Sequence, residues 1–252
     1  MKRLVPLMIM LALTACKQDQ PAPSQKIAEA AGQLMAKASG DETPTLGEGP
    51  YAPRDECTDI PGADEFRQQL ASVVKERDVE GLVALAANDV RLDFGGGAGA
   101  NLLRTHLTSK DRDLWTELEQ LLPLGCAKNS QGGITIPWYF GQDFGDIDPM
   151  MGMIITGENV PVMSGPPSED AAVGKVSGEK PAAKPEEIRK LSWDVVKLLD
   201  GYNPEEPYQK VQLQDGTLGY IATGKLRSLV DYRLIASSRN GKWSITSLVA
   251  GD

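Results

Sequence analysis

Apolar residues recur at helical spacing from Phe66 onward. Phe66, Leu70, Val73 and Val74 predict an amphipathic helix, and Asp78 stands where it can cap a second one carrying Leu82, Val83, Leu85 and Ala86. The period then drops to two. In "DVRLDF", Val90, Leu92 and Phe94 share one face and Arg91 and Asp93 the other, the pattern of a half-buried strand. A Gly-rich turn leads to a short helix at "NLLRTHL". A stronger helix follows Ser109, with Leu114, Trp115, Leu118, Leu121 and Leu122 on one side, and Pro123 and Gly125 end it. "GITIPWYF" and "MMGMIIT" read as strands separated by the acidic loop "GQDFGDIDP". Helices and strands in this order predict an α+β fold.

The pattern fades on either side of this block. Residues 16–56 are rich in Pro, Ala, Gln, Gly and Glu and read as a flexible tether. Ile27, Ala31, Leu34 and Met35 have helical spacing there but offer too little apolar surface for a helix stable by itself. Before the tether, a basic start, Met1-Lys2-Arg3, precedes the apolar run "LVPLMIMLALTA". That run is too short to span a membrane comfortably and has the flanks of an export signal. It ends Leu13-Thr14-Ala15-Cys16, which resembles the bacterial lipobox. The resemblance implies cleavage after Ala15, a diacylglycerol on the Cys16 thiol and acylation of the new N-terminus. Lys17 after the cysteine resembles the outer-membrane default. The alternative is an ordinary secretory signal, residues 1–15, with a chance cysteine.

Composition then narrows the partners. The 252 residues carry a net charge of −9, and loss of Lys2 and Arg3 with the signal leaves 24 basic against 35 acidic residues. That balance excludes nucleic acid and a polybasic membrane contact as natural readings. With Cys16 lipidated, Cys57 and Cys126 remain, an even number in an oxidising compartment, which predicts one disulfide. Two unrelated thiols, or a cysteine metal site, are the competing readings. One histidine and no CxxC argue against the metal.

The second half begins "NVPVMSGPPSEDAAVGKVS", a short alternating strand broken at Gly-Pro-Pro. Val162, Ser164, Gly165, Pro166, Ser168, Val173 and Gly174 resemble the opening of bacterial SH3 (SH3b) domains, with Met163 where that family usually has Arg. "YQKVQLQDGTLGYIATGKL" resembles the family's later signature through Tyr208, Val211, Leu213, Gly216, Gly219, Tyr220, Ile221 and Leu226. Asp215-Gly216 is independently a hairpin turn. The resemblance implies a small SH3-like β-barrel over 157–227, following the 57–156 region, with a polar loop at "GEKPAAKPEEIRK" and a strand at "LSWDVVKLL". More weakly, "RDVEGLVALAANDVRLDFGGGAGANLLRTHL" resembles the opening of the NTF2-like α/β cone.

Residues 228–252 remain. Asn240-Gly241 between two strand-like runs is the clearest hairpin signal in the chain. Tyr232, Leu234 and Ala236 are expected on one face, and Trp243, Ile245, Ser247 and Val249 on another. An isolated hairpin is marginal in water, so it is expected to return and complete the 57–156 sheet, making the SH3-like part an insertion.

No catalytic constellation stands out, and neither cofactor nor metal is expected. "GGGAGA" has dinucleotide spacing, but Val90–Phe94 alternates and no second βαβ unit follows, so a strand–helix turn is preferred. For His106, on a helix near Arg104, the sequence nominates no second residue to orient it, and it reads as a surface residue. Asp143, Asp146 and Asp148 lack EF-hand spacing and read as a solvated loop or a weak cation site. The aromatic set Trp193, Tyr202, Tyr208 and Tyr220 is the best binding candidate, with Trp193 assigned to the core and Tyr202, Tyr208 and Tyr220 to ligand contact. The expected protein is therefore not an enzyme. It is an envelope lipoprotein, its folded part in the periplasm, binding peptidoglycan or an envelope protein through the SH3-like part. Alternatives are an NTF2-like small-ligand binder or enzyme, and a structural subunit of an envelope complex.

Overall fold

The computed structural model describes residues 47–110, 113–167 and 185–251. Cys16, the signal, residues 16–46 of the tether, and Ser168, Val173 and Gly174 lie outside the described residues. The described residues are mixed α+β, with four α-helices and two sheets of five and seven strands.

The first sheet carries the helices. α1 (Ala63–Glu76) buries Ala63, Phe66, Leu70 and Val74 at helical spacing. Asp78 caps α2 (Val79–Leu85), accepting a hydrogen bond from the Gly81 N–H at 3.0 Å. α3 spans Ala100–Thr108 and α4 spans Leu114–Leu121. α4 starts later than the pattern after Ser109 suggested. Ser109 ends α3, and Asp113 caps α4 through the Thr116 N–H. Leu122 falls in a 3-10 turn, Leu122–Leu124, with Pro123 near its start.

Beneath these helices the strand order is β1-β12-β11-β3-β2. β1 is Ala86–Arg91, β2 Ala127–Lys128 and β3 Ile134–Ile136. β11 (Arg233–Arg239) and β12 (Lys242–Val249) pair antiparallel around Asn240 and Gly241, both at positive φ. β12 then pairs with β1 in parallel, and β11 pairs with β3 antiparallel. The last strands of the chain are thus the inner strands of this sheet.

One facial assignment is corrected. The β11–β12 register shifts beyond Ile235, where Ile235 faces Ser247 but Ala236 faces Ile245. The extra residue on β12 resets the alternation. Trp243, Ile245 and Leu248 face the helix-side core, and Ser247 does not. "PWYF" is not strand but a 3-10 turn, Trp138–Gly141, after a cis Ile136–Pro137 bond. Phe94 is exposed, unlike Val90 and Leu92, because the chain turns away after Arg91.

The second sheet has the order β10-β4-β7-β8-β9-β5-β6. Its strands are β4 (Gly152–Ile155), β5 (Val160–Met163), β6 (Glu187–Leu191), β7 (Val195–Leu198), β8 (Tyr208–Gln212), β9 (Leu218–Ala222) and β10 (Leu226–Ser228). In sequence they all lie between β3 and β11. Among the described residues the ladder does not close into a barrel, since β6 and β10 are both edges. It still curls around one core in which Met153 and Leu226, near one edge, share a cluster with Val160 and Val162 near the other. Gly219 on β9 is forced by this curl, because a Cβ there would stand 2.4 Å from Val162 Cγ1.

A third cluster joins the two sheets. Leu124, Ala127, Trp138 and Tyr139 meet Ile154, Val195 and Leu229. β4 is therefore buried on both faces, which explains its unbroken apolar run. The described residues fall in one compact unit, Thr43–Asp252.

The tether also ends earlier than composition suggested. The Tyr51 N–H donates to the Trp193 carbonyl at 2.8 Å, and Asp55 bridges to Cys126. Asp55 accepts a forked pair of bonds from Arg67 at 2.8 and 2.6 Å. Cys57 and Cys126 form a disulfide with Cα atoms 5.9 Å apart.

Candidate functional site

The seam between the sheets opens into a cleft of about 680 Å³. α4 contributes Glu117 and Gln120 to one wall. β10 and the Gly224 turn form the other, and Val230 and Asp231, from the link to β11, close one end. Tyr202 stands in its lining with about half its surface exposed.

Arg227 holds this seam. It follows Leu226 on β10, and the pleat sends its side chain away from the second-sheet core toward the first sheet. There it is 8% exposed. Its Nε donates to the Tyr139 hydroxyl at 3.1 Å, and one terminal nitrogen lies 3.2 Å from an Asp231 carboxylate oxygen and 3.5 Å from the Tyr232 carbonyl. A buried guanidinium needs such partners, and they come from the 3-10 turn after β3 and from the link between β10 and β11.

Burial pushes the Tyr139 phenol up to about 12, against the pull of Arg227. Burial also pushes the Glu117 carboxyl up, with Asp231 adding to the rise and Arg227 opposing it. Glu117 and Asp231 thus feel each other across one cleft.

Tyr139→Phe is expected to keep the ring packing and leave Arg227 one acceptor short. The cost is roughly 1–3 kcal/mol in urea unfolding at neutral pH. The pH profile changes too. Native Tyr139 keeps its proton after the unfolded chain has lost it near pH 10, so the wild type loses stability from there toward about 12. The Phe variant should lack that component, and parallel alkaline limbs would contradict it.

Of the residues assigned to ligand contact, only Tyr202 lines the cleft. Tyr208 and Tyr220 are half-buried on the outer face of β8 and β9, where Tyr208 is paired with Ala222 and Tyr220 with Lys210. Trp193 lies in the turn between β6 and β7 at a φ of 43°, packed on the cluster that joins the sheets. Sequence reasoning missed Arg227, Asp231, Glu117 and Tyr139. A signal existed, since an arginine inside the apolar run "LRSLV" has to find a partner.

The remaining candidates carry ordinary structure. In the Gly-rich turn the Asp93 carboxylate accepts the Gly97 N–H at 2.7 Å, and a Cβ on Gly97 would collide with it. A carboxylate occupies the place a phosphate would need. Asp143 and Asp148 each accept a backbone N–H two residues on, as loop-shaping turns do. His106 lies half-buried on α3. Asp55, Cys57 and Cys126 gather their ligand atoms closely, but the sulfurs are bonded to each other and the carboxylate to Arg67. Among the described residues no helix is long and apolar enough to cross a membrane.

No protein-family model, no curated protein and no solved structure matches the chain. The likenesses to SH3b domains and to the NTF2-like cone stand on the residues quoted above.

Proposed function

We propose that this protein is a lipid-anchored binding module of the bacterial envelope that holds an extended segment of an envelope protein in the Arg227 cleft. The cleft is the observation that carries the reading. It is concave, mostly apolar in its floor through Leu124, Met153 and Leu226, and lined by a few fixed polar groups. The disulfide suits an oxidising compartment, in keeping with export and a periplasmic location. The SH3-like reading of the second sheet draws support from one cluster. Val162, Val211, Leu213, Ile221 and Leu226, all residues of the SH3b signature, pack together there.

The module reading is tested by passing the full protein over envelope extract and over purified sacculi. Specific retention of an envelope protein is expected. Retention on sacculi alone would move the ligand to peptidoglycan, and no retention on either would overturn the reading.

Membrane attachment through Cys16 has its own test. Cys16→Ser is expected to abolish labelling by a palmitate analogue in cells and to release the protein from the membrane fraction. Label remaining on the variant would contradict the anchor.

A second reading has one observation in its favour. Glu117 and Asp231 are two carboxylates facing one cleft, as an NTF2-like small-ligand binder or enzyme would require. Saturable binding of small amines, lost in Glu117→Gln without any peptide binding, would favour it.

A further inference from the structure

The geometry points to the free edge of β10 as the place where a partner segment adds as a parallel strand, with Glu117 and Asp231 selecting a segment that carries Lys or Arg. This deepens the module reading and rests on it.

Among the described residues β10 ends the second sheet and pairs only with β4. In an antiparallel ladder, alternate residues turn both backbone groups to opposite edges. The Thr156 N–H donates to the Lys225 carbonyl, and the Leu229 N–H donates to the Gly152 carbonyl, which sets the phase. Arg227 therefore turns its backbone groups to β4, and Leu226 and Ser228 turn theirs to the cleft.

Four groups face outward, and two are already used. The Leu226 N–H donates to the Thr223 carbonyl, and the Ser228 carbonyl accepts from the Asp231 N–H. The Leu226 carbonyl and the Ser228 N–H have no hydrogen-bond partner among the described residues. An acceptor and a donor placed either side of Arg227 are what one residue of a parallel strand bonds. Its N–H reaches the Leu226 carbonyl, and its carbonyl receives the Ser228 N–H. Both residues line the cleft, so among the described residues the edge is open there.

Charge selects the occupant. Among the described residues the acidic and basic side chains lining the cleft are Glu117, Asp231 and Arg227, and Arg227 is engaged with Asp231, Tyr139 and Tyr232. One negative charge is left over, in a chain already at −9. A Lys or Arg on the incoming strand restores Glu117's balance, whereas an acidic segment is repelled. Regular strand addition also requires L-residues, which favours a protein segment over a cell-wall peptide containing D-residues.

The test pans the full chain, in detergent micelles, against random acetylated hexapeptides made from L-residues, the same library made from D-residues, and muropeptides. L-peptides bearing Lys or Arg are expected to be enriched, and their binding should slow exchange of the Ser228 amide. Ser228→Pro removes that outward donor and leaves the β4 bonds intact, a position where edge strands accept proline. It should weaken binding at least tenfold. Glu117→Gln should weaken Lys- and Arg-bearing peptides about fivefold and neutral ones hardly at all.

Enrichment of D-peptides or muropeptides alone, acidic L-peptides, or no L-peptide would overturn the proposal. So would full binding by a folded Ser228→Pro variant. If that variant fails to fold, the wild-type Ser228 amide decides, and unchanged exchange on binding overturns it. A partner captured from envelope extract that contacts Tyr202 in the cleft but leaves exchange of the Ser228 amide unchanged would overturn the edge-strand proposal and leave the module reading standing. No capture on extract or sacculi would overturn the module reading itself.

Discussion

Deleting residues 230–252 is expected to unfold the helical half of the protein, because the deletion removes the centre of its sheet rather than a tail. β12 and β11 stand between β1 and β3, so without them neither strand has its inner partner. Leu234, Ala236, Trp243, Ile245 and Leu248 leave the helix-side core with them, including the ring stacked on Phe66. At about 1.5–3 kcal/mol for each large buried side chain, the loss is on the order of 10 kcal/mol. That rivals the whole stability of an ordinary domain. Circular dichroism should show helix lost and no cooperative melt of that half. A variant keeping native helix content and a cooperative transition would contradict the topology.

Replacing both cysteines of the disulfide, as Cys57→Ala with Cys126→Ala, should cost about 4 kcal/mol for a loop of this length. The two cysteines are 69 residues apart and fully buried. The bond ties the segment before α1 to the start of β2, where the Cys126 N–H donates to the Arg54 carbonyl and the Glu56 N–H donates to the Cys126 carbonyl. Alanine avoids placing a hydroxyl in that apolar site. The melting temperature should fall by roughly 8–16 °C for a unit of this size. Calorimetry of the oxidised protein and the variant measures it, and coincident transitions would rule out a stabilising bond.

What the chain disclosed by pattern alone depended on whether the signal was local. α1 and the cap at Asp78 were legible because helix period and capping act within a few residues. The turn at Asn240-Gly241 was legible because few residues accept positive φ twice in succession. The exchange of Ser247 for Leu248 on the core face was not legible, since it follows from one extra residue opposite Ile235, known only once β11 and β12 are in register. The same holds for the barrel. Period two predicts strands, but closure depends on whether β6 meets β10, and the ladder leaves both as edges. Residues 47–56 looked like tether because what holds them is long-range: Trp193, Arg67 and Cys126.

The site followed the same rule. Tyr202 could be nominated as an exposed aromatic. Arg227, Tyr139 and Glu117 come together only through the packing of the second sheet on α4 and on the turn after β3, across 88 residues in the case of Arg227 and Tyr139. An arginine in an apolar run announces that it has a partner, and the partner's position is a property of the fold.

The cleft's role is tested most directly by photo-crosslinking in living cells, with a benzophenone amino acid placed at Tyr202 in the cleft and, separately, at Leu218 on the exposed β9 face. The account predicts a crosslink to an envelope protein from position 202, lost when Ser228→Pro is added, and none from position 218. Crosslinks from position 218 with none from position 202 would contradict it.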